Sequence, residues 1–361
     1  MAGAAFKTNP IDLFELLQHC DSGEIQLPDF QRSWVWDEER IKSLIASVSR
    51  AFPVGALMTL ATGGSVNFKP RPVEGAPDEA KRAQPASLLL DGQQRMTSLY
   101  QVTIRNRVVE TVTPKNKRVK RWFYIDIQKA MDPTADREEA IVGVPEDRII
   151  RTDFGREVIL DLSTSVREYE QQMFPVTQVF DWDAWQDGFD QFWKGDQHED
   201  LRQGFRAFKR AVLENFKQYR VPVIALDRST TKEAVCVVFE KVNTGGKPLD
   251  AFELVTAMYA ASGHELRRDW YGDEAHQGRH TRLVNTLRLA SSQGGIISGV
   301  TNTDFLHAVS LFHTRDRRRA AQEAGKQAGK RPRLAWMQTS PPRSKMTMTC
   351  SLPCVPFLSR P

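Results

Sequence analysis

With 361 residues the chain is long enough for two domains or one large one. Its 40% hydrophobic and 26% charged content is that of ordinary soluble globular protein; no apolar run reaches membrane-spanning length and the start lacks a signal peptide's layout, so a cytoplasmic protein with no membrane partner is expected. A net charge of +5 permits a nucleic-acid partner without demanding one, and Cys20, Cys236, Cys350 and Cys354 lack the spacing of a disulfide framework or zinc site, so no metal ligands are assigned.

Ile11 to Cys20 reads as a short amphipathic helix, with Ile11, Phe14 and Leu17, and Leu13 beside them, facing inward. Residues Ile25 to Trp36 are extended: Pro28 biases its predecessor away from helix, and the alternation of Phe30, Arg32, Trp34 and Trp36 suits either a segment crossing a pocket or a loop pinned by buried tryptophans. Asp37, Glu38 and Glu39 form an acidic first turn, and Ile41, Leu44, Ile45 and Val48 then fall at helical spacing. Phe52-Pro53 ends that helix, Val54 to Leu60 is a predicted strand, and the Gly, Pro and charge of 63–84 make a loop or an excursion between strands.

The centre of the chain is Ser87 to Tyr100. A short apolar run, Leu88-Leu89-Leu90, predicts a buried strand; Asp91-Gly92 is a turn signal; Met96, Leu99 and Ile104 give the following helix a buried face. A strand, a tight turn and a helix N-terminus present backbone N–H groups and partial positive charge, and Asp91 suits the cap. Arg95 is out of place, because a cation in the first turn opposes the helix dipole. Either a bound anion such as phosphate resolves the conflict, or Arg95 bonds Asp91 or points to water.

The run from Pro114 to Arg121, with Lys115, Lys117, Arg118, Lys120 and Arg121, is a basic turn before the strand Trp122 to Ile127. It can touch a phosphate backbone, although such runs are more often solvated hairpin tips. Trp182, Trp185, Phe189, Phe192 and Trp193 form a stripe expected to be core, and Leu201, Phe205, Phe208, Val212, Phe216 and Tyr219 mark a second long helix. Val221 to Asp227 is a short strand, after which Thr230 or Thr231 caps a helix leading to the loop Asn243 to Lys247. That loop suits either a phosphate or a plain helix C-cap. No phosphate-binding loop with its Lys-Ser/Thr pair, no serine-hydrolase elbow and no zinc motif is present, so any enzymatic reading rests on Gln, Arg and Asp.

Taken together, Leu27-Pro28-Asp29-Phe30-Gln31-Arg32 with Trp36, Pro53-Val54-Gly55, Leu90-Asp91-Gly92-Gln93-Gln94-Arg95, and Phe239 with Asn243 and Gly246-Lys247-Pro248-Leu249 resemble the N-terminal domain of GmrSD-type restriction and phage-defence proteins. The matches keep their order over roughly residues 10–260. The resemblance implies an α/β, ParB/sulfiredoxin-like N-terminal domain with a small mixed sheet, followed by a mostly helical region. It also implies binding and hydrolysis of a nucleoside triphosphate, with Mg²⁺ as a candidate ion, in the service of cleaving foreign or modified DNA. Carried over, Asp91, Gln94 and Arg95 would be catalytic, and Gln31, Arg32, Gly92, Gln93, Asn243 and Lys247 would line the nucleotide pocket. Lys115, Lys117, Arg118, Lys120 and Arg121 are the candidate DNA contacts.

Three segments are expected: a nucleotide-binding domain over 1–130, a mostly helical domain over 131–313, and a basic, proline-rich tail over 314–361 that reads as disordered or non-native. Longer family members carry an HNH-like nuclease domain whose His/Asn pattern is missing here. The expectation is therefore a sensor and NTPase module whose nuclease half is lost or acts in trans, with self-association into a homo-oligomer left open. The rival readings are a non-enzymatic ParB-like nucleic-acid-binding regulator and an inactive truncated remnant.

Overall fold

The computed structural model describes residues 6–29, 31, 34, 36–64, 66, 68–113, 115, 117–152, 155–231, 234, 235, 238, 252, 255, 256, 259, 265–273, 275–288 and 300–327. The chain forms two compact units, residues 1–298 and 299–361.

The first unit is built on a six-stranded mixed sheet. Its strands are β1 (Phe6–Asp12), β2 (Ile25–Pro28), β3 (Leu57–Ala61), β4 (Pro70–Arg71), β5 (Ser87–Asp91) and a late strand, Arg220–Leu226. The spatial order is β1, the late strand, β3, β5, β2, β4. β2 runs parallel to β5, and β3 antiparallel to β5, so the ends of β2 and β5 and the start of β3 share one edge of the sheet. The late strand pairs antiparallel with β1 and parallel with β3.

Both sheet faces are covered, which explains the unbroken apolar run in β5. Leu89 and Leu57 join the large core, whereas Leu88, Leu90, Met58 and Leu60 join a smaller cluster with Val66, Phe68, Leu226 and Val235. The large core is supplied by α1 (Leu13–Ser22), α2 (Glu38–Ser49) and α4 (Gln93–Thr103), α3 being the short helix Asp78–Arg82. α2 buries Ile41, Leu44, Ile45 and Val48 as its spacing predicts, and Asp37 caps it by accepting the Arg40 N–H at 2.9 Å.

The predicted inward face of the first helix needs correction. Ile11 belongs to β1, so the helical phase begins at Leu13 and the buried set is Leu13, Leu16, Leu17 and Cys20. Phe14 is 38% exposed and rests against the Phe180 ring, with centroids 4.9 Å apart.

A second, antiparallel sheet centres on β7 (Arg118–Asp126). Its neighbours are β6 (Val109–Val112), β8 (Ile141–Val144) and β11 (Met173–Pro175). β9 (Ile149–Thr152) and β10 (Glu157–Asp161) make a separate hairpin. α5 (Ile127–Met131) and α6 (Ser165–Glu170) flank these strands. The late strand of the large sheet is thus β12 (Arg220–Leu226). One core cluster runs from Leu13 to Val223, so strands and core from both sides of residue 130 pack together.

The aromatic stripe lies on α7 (Asp183–Phe192), which buries Trp185 and Phe189 against Phe174, Phe205 and Phe208. The predicted second long helix is continuous in α8 (Glu199–Phe208), a π turn over Lys209–Leu213 and α9 (Glu214–Gln218); Phe205, Phe208, Val212 and Phe216 are all buried. Helices α10 (Leu266–Tyr271) and α11 (Arg279–Arg288) follow. In the second unit α12 (Asn302–Gln327) is the described element. Among the described residues no helix is long and apolar enough to cross a membrane. The chain is therefore an α/β protein with small mixed sheets and a helical C-terminal region.

Candidate functional site

The strand–turn–helix at the centre of the sequence lies at the sheet edge where β2 and β5 end. Gly92 is the N-cap residue of α4, with φ +90°, and as a glycine it offers no side chain to the helix N–H groups. A Cβ on Gly92 would stand 2.2 Å from Leu57 Cδ2, so the turn requires glycine twice over, for conformation and for room.

Asp91 does not cap α4. Its Oδ2 pairs with Arg95 Nη2 at 3.2 Å, both side chains being largely buried. The same guanidinium donates from Nη1 to the Val54 carbonyl at 2.5 Å and from Nη2 to the Ala56 carbonyl at 3.0 Å. Those carbonyls flank Gly55, whose φ is +91° and where a Cβ would meet Arg95 Nη1 at 2.5 Å. The Pro53-Val54-Gly55 motif is therefore the seat of Arg95. Tyr219 holds this loop from the other side: its hydroxyl donates to the Phe52 carbonyl at 2.6 Å and accepts the Val54 N–H at 3.0 Å.

Beyond β2 the described residues Gln31, Trp34 and Trp36 act as a strap, held in turn to β5, α4 and β6. β5 pairs with β2 through Ser87 and Leu88, and beyond that point the side chain of Gln31 continues the ladder. Its Nε2 donates to the Leu89 and Leu90 carbonyls at 3.0 and 2.8 Å. Trp34 donates its indole N–H to Ser98 Oγ at 2.9 Å, and Ser98 donates to the Gln94 carbonyl at 2.7 Å. Glu74 Oε1 accepts both the Trp34 N–H at 3.0 Å and Arg71 Nη1 at 2.9 Å, while Arg71 Nη2 donates to the Gln31 carbonyl at 3.2 Å. The far end of the strap is pinned by Thr111, whose hydroxyl donates to the Trp36 carbonyl at 2.6 Å.

The fold thus brings together Gln31, Asp91, Gly92, Gln93, Gln94 and Arg95 at one sheet edge. Arg32, Asn243 and Lys247 lie outside the described residues. Sequence reasoning passes over Arg71, Glu74 and Ser98, and takes Tyr219 only as part of a helix face. They carry no motif, and their part depends on contacts with chain 40 to 165 residues away, such as Trp34 with Ser98 and Val54 with Tyr219.

The basic run forms the β6–β7 hairpin, in which Val112 pairs with Arg118 and the Thr113 N–H reaches the Lys117 carbonyl at 2.9 Å. Lys115, Lys117 and Arg118 are exposed and make no ion pair among the described residues. Lys120 pairs with Glu146 and Arg121 with the buried Glu38, both at 2.9 Å. The run is therefore divided, with a free tip and an anchored base. Among the described residues no cluster of three or more His, Cys, Asp or Glu is placed to hold a metal ion.

The chain is 24% identical over 308 residues to an uncharacterised protein of Methanocaldococcus jannaschii; the match covers 83% of this chain and 48% of that protein. The chain thus spans about half the length of the curated relative it matches. The family model described as the N-terminal domain of the GmrSD restriction endonuclease matches residues 13–260, which include the sheet edge, the strap and the Arg95 seat, and on that match the chain belongs to the GmrSD N-terminal domain family.

Proposed function

We propose that this chain is the nucleoside-triphosphate-binding and hydrolysing sensor module of a DNA restriction and phage-defence system. The observation that carries the reading is the start of α4, a helix N-terminus whose cap residue is a glycine, at the carboxyl ends of two parallel strands, with Asp91 and Arg95 beside it. Ligands of open α/β sheets bind outside such strand ends, and helix N-termini favour phosphate.

Arg95 spends both Nη atoms on Val54, Ala56 and Asp91, so gripping a phosphate with both prongs requires it to exchange partners. In that exchange Asp91 loses its cation and becomes free to orient a water for attack on the terminal phosphoryl group, with Gln94 as the neighbouring polar group. Asp91 is one carboxylate, and a metal cage is absent among the described residues. These residues therefore suit Mg²⁺ that arrives on the triphosphate, where it would neutralise phosphate charge, better than a resident ion.

The test is phosphate release by purified protein from ATP, GTP, CTP and UTP with Mg²⁺, alongside Arg95→Ala. Turnover that disappears in the variant is expected; a variant that turns over at the parental rate removes the catalytic assignment. DNA is the partner suggested by the family, and the exposed tip residues Lys115, Lys117 and Arg118 are the surface proposed to meet it.

A further inference from the structure

The resemblance places Gln31 in the nucleotide pocket, and the hydrogen bonds of its amide narrow what it can meet there. Nε2 donates to two backbone carbonyls, Leu89 and Leu90. A carbonyl only accepts, so the amide cannot be turned round, and the atom left over is the acceptor Oε1. Gln31 is 8% exposed, and Oε1 is buried with no hydrogen-bond partner among the described residues.

A second orphan belongs to the same cluster. Glu74 Oε1 is satisfied by Trp34 and Arg71, while Oε2 is buried without a partner among the described residues. Arg71 ties the two residues together, through the Gln31 carbonyl and Glu74 Oε1. Buried polar atoms are rarely left unsatisfied, and a pair of acceptors without donors calls for a donor from elsewhere. Phosphate oxygens are acceptors too, and two acceptors do not bond one another.

We propose that Gln31 Oε1 and Glu74 Oε2 receive an N–H or O–H donor from the nucleoside half of the triphosphate, while the phosphates lie at the start of α4. This rests on the nucleotide reading and refines it: the strap reads the nucleoside, and the helix reads the phosphates. Both oxygens are enclosed, so a donor placed on them is desolvated and its hydrogen bonds discriminate strongly. The donor belongs either to a ribose hydroxyl or to a base N–H group.

The experiment is calorimetric titration of the full chain with ATP, CTP, GTP and UTP, their 2′-deoxy forms, and inorganic tripolyphosphate, repeated on Gln31→Met. Wild-type protein is expected to bind at least one nucleoside triphosphate about tenfold or more tightly than tripolyphosphate, since a lost hydrogen bond to a buried group is worth roughly that. Gln31→Met should lose this margin and bind tripolyphosphate as wild type does. Discrimination against 2′-deoxy ligands assigns the donor to the ribose, and discrimination among the four bases assigns it to the base.

Equal binding of tripolyphosphate and every nucleotide by wild type overturns the proposal, and so does a Gln31→Met variant that keeps the nucleotide margin, as it would if the acceptors merely enclose water. Weakening of tripolyphosphate and nucleotides to the same degree in a folded variant also overturns it, by making Gln31 a phosphate contact. Should the variant not fold, the wild-type series alone decides. Failure of every polyphosphate to bind is a separate result, which removes the nucleotide reading itself.

Discussion

Gly55→Ala probes the seat of Arg95 most directly. Gly55 has φ +91°, where an alanine is strained by about 1–2 kcal/mol. Its new Cβ would stand 2.5 Å from Arg95 Nη1, about an ångström inside ordinary contact, with the guanidinium carbon at 3.4 Å. The guanidinium must therefore move off Val54 and Ala56, weakening charge-assisted bonds worth about 1.5–3 kcal/mol each. We expect a total loss of about 3–5 kcal/mol, read from urea unfolding followed by tryptophan fluorescence. The same substitution in an Arg95→Ala background meets no guanidinium and should cost only the strain, about 1–2 kcal/mol. An equal cost in the two backgrounds would refute the claim that close contact with Arg95 dictates glycine at this position.

Tyr219→Phe removes a hydroxyl bonded to Phe52 and Val54 while keeping the ring; a loss of about 1–2 kcal/mol in the same unfolding assay is expected. Glu168 is buried and bonded by Tyr124 and Trp185 at 2.9 and 3.0 Å, yet burial raises its pKa above the usual carboxylate range, outweighing those bonds and Arg148. The folded state then holds the proton more tightly than the unfolded chain. Glu168 should therefore contribute a stability that is full below about pH 4.5 and declines as pH rises through its folded pKa; Glu168→Gln should lack that slope in denaturation curves from pH 4 to 8. Replacing Lys115, Lys117 and Arg118 with alanine should leave the melting temperature unchanged and flatten the salt dependence of DNA binding by up to about three phosphate contacts. Arg121→Ala should instead destabilise the fold, because it strips a partner from the buried Glu38.

The parts legible in the sequence are those in which one element carries its own signal. Ile41, Leu44, Ile45 and Val48 fix the buried face of α2 by spacing alone, and the unbroken Leu88-Leu89-Leu90 run reflects a strand covered on both faces. The start of the site was legible for the same reason, since strand, Asp-Gly turn and helix follow one another locally. What Arg95 does was not, because two of its partners are backbone carbonyls about 40 residues away, and a carbonyl leaves no mark in composition. Glu74 and Arg71 sit in a stretch that reads as a loop, and their bonds to Trp34 and Gln31, 40 residues away, exist only in the folded chain. Phe14 has the right residue type for the core and the wrong phase, because β1 extends to Asp12 and delays the helix.

The position of β12 bears on how the chain is made. β3 emerges from the ribosome about 160 residues before β12, which at ordinary synthesis rates is a delay of roughly 10–30 s. Throughout that interval β3 and β1 have no strand between them, and the register linking Ile11 to Val221 and Leu57 to Val223 cannot form. Such long-range pairing slows folding and leaves sticky edges open to neighbouring nascent chains. Fragments that stop before Leu226 should aggregate during translation, and swapping of β12 between two copies is the natural misassembly of this topology.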